Sequence, residues 1–224
     1  MKKLVQILTF TLLLILSGCS STIKEYYFNI DDFTNGKVYK YECKNDPGKT
    51  QYWKLTSNLK EGTLITEAFD NEFNQYEFFK EKITNSGSEL LEFTSIIRDD
   101  NGNVFEAIQK PIEIDVFKWE TATPYKYFVE TIDPDFGKVT FEKERRYIGK
   151  EDIIVLGKSY KAIKLKGKYR TEVIASDQSY EYTQVSYYAE GIGLVKMIKE
   201  IPNGENETLE LTEILSNDTW SKMQ

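Results

Sequence analysis

The sequence predicts an all-β protein: a single curved antiparallel sheet or incomplete barrel, with few or no helices beyond an N-terminal processing signal. Three observations carry this. Short runs rich in Tyr, Phe, Val, Ile and Thr recur along the chain, and these residue types fit a pleated, half-buried surface. Gly, Asn, Asp and Pro fall between the runs at about the ten-residue spacing of an antiparallel all-β domain. No stretch carries a long helical stripe with caps, no low-complexity linker divides the chain, and no fixed-period repeat is visible.

Taken in order, residues 1–18 read as a signal peptide. Lys2 and Lys3 precede an apolar run, Leu4 to Leu16, that is short for a permanent membrane helix. The run ends in Leu16-Ser17-Gly18-Cys19, which resembles the bacterial lipobox. The resemblance implies cleavage after Gly18 and acylation of Cys19 with palmitate-type chains, making a lipid bilayer the first partner. Each buried methylene contributes about 0.8 kcal/mol, so two or three chains hold a protein firmly. Residues 19–24 form the lipidated cysteine and a polar tether, and 25–220 a single β domain. Ser20 after Cys19, rather than Asp, is compatible by analogy with outer-membrane delivery in a two-membrane cell. In a one-membrane cell the anchor would be the outer face of the cytoplasmic membrane.

The domain opens with the aromatic run Glu25 to Ile30, read as strand-like. Asn35-Gly36 then turns the chain into Lys37 to Glu42. Asp46-Pro47-Gly48-Lys49 marks a turn before Gln51 to Thr56, and Gly62 opens Thr63 to Phe69. Phe73, Tyr76, Phe79 and Ile83 recur at roughly helical spacing, but Tyr76 and Phe78 suit a strand and both neighbours are strands, so a strand is expected. Ser88 to Ile97 and Val104 to Lys110 flank a hairpin turn at Asn101-Gly102, and Pro111 starts a new run, Ile112 to Phe117. Tyr125 to Ile132 leads through Asp133-Pro134-Asp135-Phe136-Gly137 into Val139 to Ile148, which is expected to end at Gly149. Ile153 to Leu156, Gly157 and Tyr160 to Lys166 form the next pair. Arg170 to Ile174 and Tyr180 to Tyr188 surround Ser176-Asp177-Gln178-Ser179, and Asn203-Gly204 precedes Thr208 to Leu215.

Charge and residue types exclude several functions. Losing Lys2 and Lys3 takes 29 basic residues to 27 against 36 acidic ones, so the net charge moves from −7 to −9. An acidic chain is a poor partner for nucleic acid, which rewards clustered Lys and Arg. No histidine occurs anywhere, which removes Ser-His-Asp and Cys-His chemistry and histidine-ligated metal sites. With Cys19 acylated, Cys43 has no disulfide partner and reads as a half-buried strand thiol.

The remaining candidate chemistry is weak. Asp99-Asp100-Asn101-Gly102-Asn103 fails as a calcium loop, because Val104 stands at its sixth position and Lys110 at its twelfth. Asp133-Pro134-Asp135 reads as a turn. Lys143-Glu144-Arg145-Arg146 reads as the solvated end of a strand rather than a phosphate site. Tyr52, Trp53, Trp119, Tyr125 and Tyr127 suit core or cross-strand packing, with a lipid groove or sugar-stacking surface as the alternative. No catalytic, metal or cofactor-binding residue is assigned.

Tyr187-Tyr188-Ala189-Glu190-Gly191-Ile192-Gly193-Leu194-Val195-Lys196-Met197 is the most distinctive stretch: a tight hairpin whose glycines meet a positive φ or a close backbone approach. Preceded by the pair around Gly157, it resembles uncharacterised periplasmic and lipoprotein domains grouped with the LolA/LolB-like lipoprotein carriers. The resemblance spans Tyr147 to Lys199 and implies a highly curved sheet, an incomplete barrel whose concave face holds apolar ligand. The leading expectation is therefore a non-enzymatic envelope lipoprotein that binds a lipid-like ligand or a protein partner. The alternatives are an interaction lipoprotein with a filled sheet, and a carbohydrate-binding or hydrolytic module using paired carboxylates.

Overall fold

Each strand pairs with its neighbours in sequence, and the last strand returns to pair with the first, so the sheet has no free edge. The computed structural model describes residues 22–98, 102–133, 136–202, 204 and 206–224. Among these lie twelve antiparallel strands: β1 (Lys37–Cys43), β2 (Gln51–Asn58), β3 (Thr63–Phe69), β4 (Gln75–Ile83), β5 (Gly87–Arg98), β6 (Val104–Lys118), β7 (Tyr125–Asp133), β8 (Gly137–Val155), β9 (Lys158–Val173), β10 (Gln178–Ala189), β11 (Gly193–Glu200) and β12 (Glu207–Ser216). Aside from short 3-10 turns, the helical content among the described residues is one turn, α1 (Asn217–Trp220).

The expected single open sheet or incomplete barrel is thus corrected to a closed barrel. The deciding contact is β1 on β12, paired from Lys37 opposite Ser216 to Cys43 opposite Leu209. Closure removes the unpaired N–H and C=O groups an open sheet would expose. It also demands strong coiling, and register shifts at Lys40/Tyr41, Ala68/Phe69, Lys80/Glu81, Tyr147/Gly149 and Tyr187/Tyr188 supply bends. Two expected boundaries prove to be such irregularities. Gly149 (φ +143°) kinks β8 without ending it, and Pro111 sits within β6 where the pairing with β7 slips. The Phe73 to Thr84 region is strand β4, as expected. Leu156 (φ +51°) and Gly157 (φ +74°) form a two-residue turn with positive φ at both positions, closing Val155 on Lys158.

A twelve-stranded barrel is wider than wall side chains alone can fill. The chain solves this with its own N-terminus. Glu25 to Ile30, expected to be strand-like, is not a strand: Lys24–Tyr26 and Ile30–Phe33 are 3-10 turns, and the segment between them enters one end of the barrel. Ile23 N–H donates to the Trp119 carbonyl (2.9 Å), and Gly191 N–H donates to the Glu25 carbonyl (3.0 Å). Tyr27 packs on Phe117 at 4.6 Å between ring centroids, and Phe28 meets Phe33 and Tyr39 edge-on. The run is apolar at consecutive positions because it is surrounded, whereas a half-buried strand would alternate.

Outside, cross-strand ion pairs such as Lys54–Glu67, Lys126–Glu142, Lys164–Glu151 and Lys196–Glu210 lace the wall. Apolar side chains are exposed among them, most strongly Ile108 on β6, Ile132 on β7 and Ile154 on β8. Charge outside and aromatic groups inside is the reverse of a lipid-facing barrel. A separate outer cluster forms where α1 folds back and Trp220 covers Tyr52, Phe69 and Phe73.

Candidate functional site

Beyond Tyr27 and Phe28 the lumen is not filled. A cavity of about 250 Å³ extends from these plug residues toward Gln51, Lys199 and Glu207, which belong to strand ends away from the plug. Its wall is largely aromatic: Trp53, Phe79, Phe93, Tyr127, Phe141, Tyr169, Tyr182 and Tyr188 all line it. The interior is therefore packed at one end and open at the other, a mixture of the two arrangements expected from the sequence.

Six charged side chains line this space: Lys199 and Glu207, paired with each other at its far end, and, deeper in, Glu77 and Glu81 from β4 and Lys143 and Arg145 from β8. Lys143-Glu144-Arg145-Arg146 is thus not a solvated strand end. Lys143 and Arg145 share strand parity with Phe141 and Tyr147 and point inward, while Glu144 and Arg146 are exposed. Arg145 is 5% exposed. Its Nη1 donates to the Tyr188 hydroxyl (3.1 Å) and at 3.5 Å to the Val116 carbonyl, and its Nη2 donates to the Tyr169 hydroxyl at 3.5 Å. Its Nε has no protein acceptor, and the hydroxyl of neighbouring Tyr125 is buried without one as well. Lys143 Nζ lies 4.9 Å from the Tyr169 ring centre and 5.5 Å from that of Tyr127.

The electrostatics follow from enclosure. Burial, reinforced by the Arg145 charge, pushes the Lys143 pKa down. Burial alone would raise the Tyr169 phenol, but Lys143 and Arg145 outweigh it and bring it below the ordinary tyrosine value. Burial raises Glu81, against hydrogen bonds donated to its Oε1 by Ser88 Oγ (2.6 Å) and the Tyr27 hydroxyl (2.5 Å). Burial also raises Glu77, with Lys143 opposing. Among the described residues, no carboxylate lies within ion-pair distance of Lys143 or Arg145.

Of the residues singled out by sequence, Trp53 and Tyr127 line the cavity. Trp119 and Tyr125 belong to the core around the plug, and Tyr52 lies outside under Trp220. Cys43 is buried at the end of β1, more deeply than the expected half-burial. Cys19 and the signal peptide lie outside the described residues, as do Asp99, Asp100 and Asn101 of the rejected calcium loop and Pro134 and Asp135 of the other acidic turn. Phe136 N–H donates to Asp133 Oδ1 (3.0 Å) across the segment read from the sequence as a turn. No group of metal-ligating side chains occurs among the described residues.

No family model and no curated protein matches the chain. Two solved structures are similar. A candidate lipoprotein from Parabacteroides distasonis ATCC 8503 shares 11% identity, with a TM-score of 0.53 over 84% of this chain and 97% of that one. A candidate exported protein with YmcC-like fold, from Bacteroides fragilis NCTC 9343, shares 11% identity, with a TM-score of 0.43 over 88% of this chain and 99% of that one. The first likeness establishes a shared fold.

Proposed function

We propose that this protein is a non-enzymatic, lipid-anchored binding protein of the cell envelope, which holds a small, largely apolar ligand inside its barrel. The observation that carries the reading is the aromatic-walled cavity of about 250 Å³ beyond the plug. A dry apolar cavity of about 150 Å³ already takes benzene, so this one accommodates a ring with a short chain, or a medium-length chain. The expectation of a lipid-like ligand drawn from the LolA/LolB-like resemblance is kept as ligand chemistry, though not as sheet geometry.

The anchor rests on Leu16-Ser17-Gly18-Cys19, with the lipoprotein description of one structural neighbour as support. Two residues, Ser20 and Ser21, separate Cys19 from Thr22, a reach of at most about 11 Å. The described chain starts at the plugged end, so an acylated Cys19 would keep that end at the bilayer and leave the cavity end facing away. Intact mass of membrane-extracted protein tests the anchor: a chain beginning at Cys19 and carrying two or three acyl groups is expected, and an unmodified chain would refute it. Native mass spectrometry of the same material tests the cavity. One small molecule bound per chain is expected, and consistently bare protein after gentle detergent removal would count against the binding reading.

A further inference from the structure

We propose that the ligand carries a carboxylate, and that Arg145, flanked by Lys143 and Tyr169, is the seat of that carboxylate. The proposal rests on the barrel interior being a binding site and assigns its chemistry. A guanidinium removed from water is costly unless charge and hydrogen bonds compensate it. Here the protein supplies only part of that compensation. Arg145 donates to two phenol oxygens and one carbonyl, two of the three contacts at 3.5 Å, and its Nε has no protein acceptor. The acidic side chains within the barrel do not close the gap. Glu81 is engaged by Tyr27 and Ser88, and neither it nor Glu77 comes within ion-pair distance of Arg145.

The planar guanidinium fork matches a carboxylate with two parallel N–H···O bonds, a geometry that phenols cannot supply. Lys143 stands two residues along the same inward face and adds a second cation over the Tyr169 ring. Lys199 also lines the cavity, 4.5 Å from the centre of the Tyr182 ring, but Glu207 pairs with it at 3.8 Å, so among the described residues Lys143 and Arg145 are the lining cations without a carboxylate partner. The site therefore presents one anion seat next to an apolar wall, which suits an organic acid with a short aliphatic or aromatic body.

The test uses the full chain in lipid nanodiscs, with empty nanodiscs as the blank, titrated with octanoate and 4-phenylbutanoate against 1-octanol and 4-phenylbutan-1-ol. The acids are expected to bind at least tenfold more tightly than the alcohols. Arg145→Gln should remove that preference by bringing the affinity for the acids down to that for the alcohols. Arg145→Lys, which keeps the charge and loses the planar fork, should retain only part of it, and it serves if Arg145→Gln does not fold. Acids and alcohols binding equally to the unaltered chain would overturn the carboxylate assignment while leaving the cavity reading intact. Neither class binding would overturn both.

Discussion

Gly193 offers the most demanding test of how the plug and wall fit together. It stands at φ +97°, where a side chain is strained, and a Cβ built on it would lie 2.3 Å from Cδ1 and 2.5 Å from Cε1 of Phe28. Phe28 cannot swing aside, because Tyr27, Phe33, Tyr39 and Tyr188 surround its ring. Gly193→Ala therefore combines backbone strain of about 1–3 kcal/mol with an overpacking cost of about 1–3 kcal/mol. Gly191, two residues earlier at φ +73°, has open space where its Cβ would go, so Gly191→Ala should incur only the strain. At about 2–4 °C of Tm per kcal/mol for a chain of this size, Gly193→Ala should melt several degrees below Gly191→Ala. Adding Phe28→Leu should recover part of the difference, since touching residues couple. Chemical denaturation of the single and double variants measures this directly. Equal losses at the two glycines, with no rescue, would refute the seating of Phe28 against this turn.

Other expectations follow from the same contacts. Burial raises the Glu81 pKa, so the folded state holds that proton more tightly than the unfolded state; stability should fall as pH rises from the usual glutamate value through the raised folded value, then level off. Glu81→Gln should flatten that decline in a Tm-against-pH series. Trp220 is buried against Tyr52, Phe69 and Phe73, so Trp220→Ala should cost about 3–5 kcal/mol in urea titrations, despite lying four residues from the C-terminus. Lys196→Ala, which removes an outer-wall ion pair with Glu210, should change stability by no more than about 1 kcal/mol in the same assay.

Strand existence was legible in the sequence because period-two alternation and turn residues are local signals. Asn35-Gly36, Gly157 and the Glu190 to Gly193 turn all mark real changes of direction. Closure was not legible, because β1 and β12 lie at opposite ends of the sequence and their local patterns are the same in an open sheet. The plug was misread for a related reason: Tyr26-Tyr27-Phe28 has β-type residues, and only the width of the lumen makes it a filler. Lys143 and Arg145 carried a usable signal. Counting parity from Phe141 to Tyr147 places both on the aromatic face, but charge suggested solvent, and the outward Glu144 and Arg146 hid the alternation. Glu77 and Glu81 were masked in the same way by the many carboxylates that pair on the outer wall.

The central claim, that the barrel interior is a ligand site, is tested most directly by a crystal structure of the protein grown with octanoate. The account predicts one octanoate inside the barrel, its carboxylate on Arg145 and its chain against Tyr169 and Phe141. A lumen left without octanoate at saturating concentration, or octanoate found only on the outer wall, would contradict it.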